Sequence, residues 1–193
     1  MSGWHVSLRM DAERVCEGHR VPLPLLRSLR LELKPASLGD LDFLASLNSD
    51  AEVMEHISGH PASRVETGEE WARRLGPRSA TDLGLGYWVG HVNAQPVGWW
   101  GLGLTASDPH AAELGFRVLR EHWHQGLGKE GARTLVGYGF TELAITRIWA
   151  GTVTANTASR MTLTAVGLEA NDEPWPGVLT YQITRQQWLA GDS

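Results

Sequence analysis

The run Glu113 to Gly128, ELGFRVLREHWHQGLG, places a carboxylate, cations and a pair of glycines close together. Gly126 and Gly128 stand where an alternating apolar stretch gives way to a helical pattern, in the first turn of a helix. There the leading amides lack intrahelical acceptors and the positive end of the dipole faces outward, which suits an anionic phosphate. Glycine lets the anion approach the backbone. A GxG at a helix start is by itself weak evidence, because glycine punctuates many turns. Two nucleotide motifs fail. A P-loop would need glycine where Trp123 stands and Ser or Thr where Glu130 stands. The dinucleotide fingerprint finds its third glycine at Gly131, but the strand before it follows an antiparallel hairpin instead of being the first strand of a βαβ sheet.

Other side chains could carry protons or charge. Glu113 is a candidate base, and its alternative is a surface carboxylate paired with a neighbour such as Arg117. His110 is a second candidate base, with a solvated turn residue as the alternative. The pairs His56/His60 and His122/His124 lack the companion ligands of a metal centre, so no metal is expected. Arg147 and Arg160 are candidate phosphate-steering cations.

These residues need a scaffold, and the pattern supplies one. Leu29, Leu31 and Leu33 alternate with polar residues as in a half-buried strand. Ser37 with Asp40 opens a helix carrying Leu38, Leu41, Leu44 and Leu47, and Thr67 with Glu70 opens another, ended by Gly76-Pro77. Strands are expected at 87–92, 97–104 and 111–119, joined by turns and antiparallel. A glycine-rich helix to about Leu143 and a strand at 147–153 complete a βαβ unit, so the sheet is mixed. Asn156 caps a helix ending at Gly167, a loop spans Asn171 to Gly177, and a strand Val178 to Thr184 precedes a tail with Trp188. The first 28 residues read as an extension or edge segment before a domain spanning 29–190.

The length of 193 residues suits one domain. A net charge of -5 argues against a nucleic-acid partner and is permissive for an amine. The single Cys16 permits no intramolecular disulfide, which fits a cytoplasmic protein. No apolar run approaches membrane-spanning length, and no apolar core precedes Cys16, so neither membrane insertion nor secretion is expected.

The stretch Glu113 to Ala132, with NTASRMTLTAVGL at Asn156 to Leu168, resembles the GNAT superfamily of N-acetyltransferases, nearest to its Rim-type branch. The likeness runs from Leu29 to Trp188 and includes LRLELKPAS, SDAEVMEHI and TYQITRQQW. It implies a mixed α/β GNAT fold: a central twisted sheet with helices on both faces and splayed parallel strands that hold acetyl-coenzyme A. It also implies that Trp123, His124, Gln125, Gly126, Leu127 and Gly128, with Lys129, bind the pyrophosphate. Main-chain groups of Phe116, Arg117 and Val118 would pair with the pantetheine arm, and Asn156 and Ser159 would lie beside it. Glu113 corresponds to the acidic residue of Rim-type enzymes. Leu163 stands where many members carry an acidic Tyr, leaving Ser159 or water to protonate the thiolate. The acceptor is a protein N-terminus or a small-molecule amine, in a pocket lined by the first two helices and the Trp-bearing hairpin. A homodimer is compatible with this resemblance. The competing class is a non-catalytic acyl-coenzyme A sensor.

Overall fold

The computed structural model describes residues 22–76, 80–105 and 108–191. Its core is one mixed eight-stranded sheet. In chain order the strands are β1 (Leu26–Arg27), β2 (Glu32–Pro35), β3 (Gly86–Val92), β4 (Gln95–Leu104), β5 (Ala111–Val118), β6 (Arg147–Val153), β7 (Glu169–Trp175) and β8 (Val178–Thr184). The helices are α1 (Leu41–Asn48), α2 (Ala51–Met54), α3 (Arg64–Arg74), α4 (Leu127–Thr141), α5 (Thr157–Val166) and α6 (Arg185–Gly191). Spatial order is β1-β2-β3-β4-β5-β6-β8-β7, with every pair antiparallel except β5 with β6. Among the described residues no helix is long and apolar enough to cross a membrane.

Two apolar clusters flank the sheet. Alternate residues of β3 to β6, among them Trp88, Trp100, Leu102, Leu114 and Ile148, pack with Leu127, Leu135 and Phe140 of α4 on one face. Val89 and Trp99 pack with Leu44, Leu47 and Trp71 of α1 and α3 on the other. Period two in the strands and period 3.6 in the helices therefore send their apolar sets to opposite sides of one sheet.

Asn93 and Ala94 take left-handed conformations, φ 49° and 66°, as a tight β3–β4 hairpin requires. Gly131 of α4 faces Trp100, where a Cβ would fall 2.4 Å from the indole. The Trp100 indole also donates to the Gly128 carbonyl at 3.1 Å. One buried ring thus fixes both the depth and the first turn of α4.

Several local expectations shift. Ser28 N donates to Leu31 O, so Leu29 lies in a β1–β2 turn and is 93% exposed, while Leu31 and Leu33 are buried. Residues before Leu29 join the sheet through β1, and the Trp88 indole donates to Pro24 O. Leu38 lies in a 3-10 turn capped by Ser37 and is exposed, leaving Leu44 and Leu47 as the buried stripe of α1. The second cap is Ser63, boxed with Glu66, so α3 starts earlier than Thr67, which is buried within it. The segment expected as a loop at Asn171 to Gly177 is largely edge strand β7; its side chains are all exposed, and pairing with β8 holds it in place of an apolar face. Trp188 lies on α6 and packs against the α4 side of the core.

Candidate active site

β5 and β6 pair over only three rungs, Ala111 with Arg147, Ala112 with Ile148 and Glu113 with Trp149. β5 continues against β4 as far as Val118, and β6 against β8 as far as Val153. Beyond Glu113 the strands diverge, each held on its outer side, and their facing edges bound a wedge. Main-chain groups along such edges seek partners, and an amide-bearing arm can supply them.

At the mouth of the wedge the chain turns into α4. Trp123 is extended, His124 has φ 58° and Gly126 has φ 77°. Gly126 is the N-cap of α4 and brings no side-chain cap, so the amides of Leu127, Gly128 and Lys129 are the leading donors of a 15-residue helix. His124, Gln125, Gly126 and Lys129 are exposed, whereas the Leu127 side chain is buried, so Leu127 can meet an anion only through its amide. The Trp123 side chain packs against both apolar clusters and its indole donates to Val118 O at 2.8 Å. Trp123 thereby anchors the turn to the end of β5. Gln125 donates to Glu121 O and accepts through its own carbonyl from Arg30 Nη1. Arg30 also pairs with Glu130 at 2.6 Å, so the β1–β2 turn braces this turn from outside.

Across the wedge, Asn156 caps α5 by accepting from Ser159 N at 2.9 Å, which fixes where α5 begins. Asn156 and Ser159 are both half-buried. Leu163 is 1% exposed within the main cluster. Leu163 is thus an apolar core residue and supplies no proton to the wedge. Arg160 is spent on Thr154 O and the Tyr181 hydroxyl, and Arg147 on Asp108, so neither of these expected steering cations is aimed at the turn.

Glu113 lies on the last shared rung, on the sheet face that carries Trp99, Gly101, Gly103 and Arg117. It is exposed, yet crowding around its carboxyl pushes the pKa above the ordinary carboxylate range, with the charge of Arg74 pulling the other way. The expected alternative, a Glu113–Arg117 pair, does not form. The Arg117 side chain is 8% exposed and donates to Asn48 Oδ1 at 2.7 Å, with Glu70 at 3.4 Å. Phe116 points to the other face, beside the Cβ position of Gly128 at 3.6 Å. His110 contacts Ala144 O through Nδ1, and its carbonyl accepts from Thr146 N, at the closed end of the β5–β6 pair. It braces the strand pair at the end remote from the wedge. Among the described residues no group of three His, Cys, Asp or Glu side chains could hold a metal.

Two residues near Glu113, Arg74 and Tyr87, escaped sequence reasoning. Arg74 ends α3 and pairs with Glu70 at 2.9 Å. Its guanidinium lies 4.9 Å from the Tyr87 ring centroid and 5.1 Å from that of Trp99. Tyr87 lies over Gly101, and a Cβ on Gly103, the partner of Glu113, would fall 3.2 Å from the Tyr87 hydroxyl. The only sequence signal was helical spacing, which puts Glu70 and Arg74 one turn apart.

A mixed sheet that opens between parallel strands beside an uncapped helix amino-terminus fits an acyl-coenzyme A-dependent acyltransferase. The family comparison makes this specific: residues 30–169 match the acetyltransferase (GNAT) domain model. The chain belongs to that family and is an acetyl-coenzyme A-dependent N-acetyltransferase. It is 36% identical over 188 residues to the FsC-acetyl coenzyme A-N(2)-transacetylase of Aspergillus fumigatus, covering 86% of this chain and 78% of the relative. Among solved structures, spermidine N-acetyltransferase from Vibrio cholerae with coenzyme A and spermine superposes with TM-score 0.71 at 18% identity, covering 84% of this chain and 99% of that one. RimL, the ribosomal L7/L12 α-N-protein acetyltransferase, with coenzyme A superposes at TM-score 0.67 and 17% identity, covering 84% and 97%. The fold is thus shared across several branches, of which the Rim type is one.

Proposed function

We propose that this chain moves the acetyl group of acetyl-coenzyme A to a primary amine of a small molecule, with Glu113 taking the amine proton. The observation that carries the reading is the place of Glu113, on the last rung before β5 and β6 part, with the free amides of α4 at the mouth of the same opening. The amine nitrogen bonds to the thioester carbonyl carbon, the carbon–sulfur bond breaks, and the proton lost by the amine balances the one gained by the thiolate. An alkylammonium titrates near 10 and an α-ammonium near 8, so either must be deprotonated near neutral pH. A carboxylate whose pKa is raised by its surroundings is a better base than an ordinary one.

The coenzyme would be held by the amides of Leu127, Gly128 and Lys129 at its diphosphate, with His124, Gln125 and Gly126 shaping the turn. Trp123 acts as the anchor beneath. The facing edges of Phe116–Val118 and of β6 are suited to the pantetheine amides, although the Val118 carbonyl already accepts from Trp123. Asn156 and Ser159 flank the arm, and the Ser159 hydroxyl or water returns the proton to sulfur. A small-molecule acceptor is favoured over a protein N-terminus because the 36%-identical relative is named for an N(2) acetylation, whereas the RimL likeness is one of fold.

The test is thiol release from acetyl-coenzyme A across a panel of amines and one N-terminal peptide. Amine-dependent release is expected. Calorimetric uptake of the coenzyme with no thiol freed by any acceptor at any pH would refute the enzyme and leave a sensor.

A further inference from the structure

The side of Glu113 that faces α3 is a cationic box. Trp71, Tyr87 and Trp99 meet edge to face, with ring centroids 5.7, 5.5 and 6.0 Å apart. Arg74 closes the box, its guanidinium within 6.0 Å of all three centroids and its side chain 28% exposed. Contact with ring faces and Glu70 fixes the planar group in one orientation. Glu70 receives Arg74 Nε and also faces Arg117, so one carboxylate serves two guanidinium groups. The second carboxylate that feels Arg74 is that of Glu113, so the cluster carries net positive charge only while Glu113 is protonated. Besides Glu70, Arg74 meets the Tyr87 hydroxyl. The buried indole N–H groups of Trp71 and Trp99 lack acceptors among the described residues. The Tyr87 hydroxyl and the Arg74 charge both bear on the rung that holds Glu113.

We propose that Arg74 selects the acceptor: it receives an electron-rich oxygen, a carboxyl, ester or amide carbonyl, placed next to the amine that Glu113 deprotonates. The acceptor class is then an α-amino acyl compound, and amines without such an oxygen, polyamines included, are poor acceptors. This deepens the acetyltransferase reading and rests on it. The division of labour follows from charge. Glu113 meets the nitrogen, Arg74 meets the oxygen, and a second ammonium on the acceptor would be repelled by the Arg74–Glu70–Arg117 cluster.

Alaninamide, isopropylamine and spermidine serve as acceptors, with rates expressed per neutral amine. Wild type is expected to show kcat/KM for alaninamide at least about tenfold above isopropylamine, the range of a hydrogen bond to a charged group. Arg74→Met is expected to erase that ratio through KM for alaninamide, Arg74→Lys to keep part of it, and neither to change coenzyme affinity by calorimetry. If the variants fail to fold, inhibition of wild type by N-acetylalaninamide against N-isopropylacetamide reads the same preference. Equal use of alaninamide and isopropylamine, a preference for spermidine, or equal loss of both acceptors in Arg74→Met would overturn the selection. Those results leave thiol release intact, whereas failure of the underlying reading abolishes thiol release with every amine.

Discussion

The depth at which α4 sits on the sheet should control coenzyme affinity, and Gly131→Ala tests it. A Cβ at residue 131 would lie 2.4, 2.5 and 2.8 Å from Cε2, Nε1 and Cδ2 of Trp100. Ordinary carbon contact begins near ~3.4 Å, so the surfaces must separate by about 1 Å, the difference between that value and the shortest contact. Trp100 cannot retreat, because it is fully buried and its Cζ3 already lies 2.3 Å from where a Cβ on Gly90 would stand. The helix must lift instead, taking the amides of Leu127 to Lys129 with it. Overpacking costs about 1–3 kcal/mol, and alanine returns about 1 kcal/mol of helix propensity, so the net loss of stability is about 0–2 kcal/mol. A displacement near 1 Å in a preorganised site costs on the order of 10- to 100-fold. Calorimetric titration with coenzyme A and thermal melts read both effects. Gly137→Ala is the control, since its Cβ would lie 3.8 Å from Trp188 Cζ2 in ordinary contact. It should gain up to about 1 kcal/mol and leave affinity unchanged. Equal affinity and stability in the two variants would show that Trp100 does not set the height of the helix.

Glu113→Gln should lower kcat/KM more at neutral than at high pH, because the amine deprotonates unaided as pH rises; a uniform loss across pH would remove Glu113 as the base. The same variant carries a stability sign. Burial favours the protonated carboxyl, so ionised Glu113 opposes folding above its raised pKa, and the variant should melt higher at neutral pH, with the gap closing in acid where wild type is also neutral. A lower melting temperature at neutral pH would contradict this. Gly126→Glu adds left-handed strain, φ being 77°, of about 1 kcal/mol and sets a carboxylate at the phosphate turn. Coenzyme binding should vanish while circular dichroism stays native, and unchanged calorimetric affinity would refute the turn as the diphosphate site.

Much of this molecule is written in contacts of short range. Ser37 with Asp40, Asn156 with Ser159 and Gly167 end or begin helices through partners within four residues, so a sequence reveals them. The Asn93–Ala94 turn and the GxG at Gly126 are of the same kind, as is the period-two pattern of β5. Strand β7 was missed because its residues are polar and exposed, and only pairing with β8 makes it a strand. Likewise nothing local distinguishes Ser63 from Thr67 as the start of α3, since both precede a glutamate by three residues.

The sequence by itself determined the order of the elements from β3 to α5, the mixed sheet and the uncapped amino-terminus of α4. Tertiary structure alone decided that β5 and β6 part after Glu113, that Arg117 turns away to Asn48 and Glu70, and that Arg74 comes to the side of Glu113. It also decided that Leu163 faces the core. Each of these depends on strand register and on where α3 docks against Trp99, quantities set by packing among residues far apart in the chain. A local pattern can specify which face a side chain takes, but not which other side chain will be there to meet it.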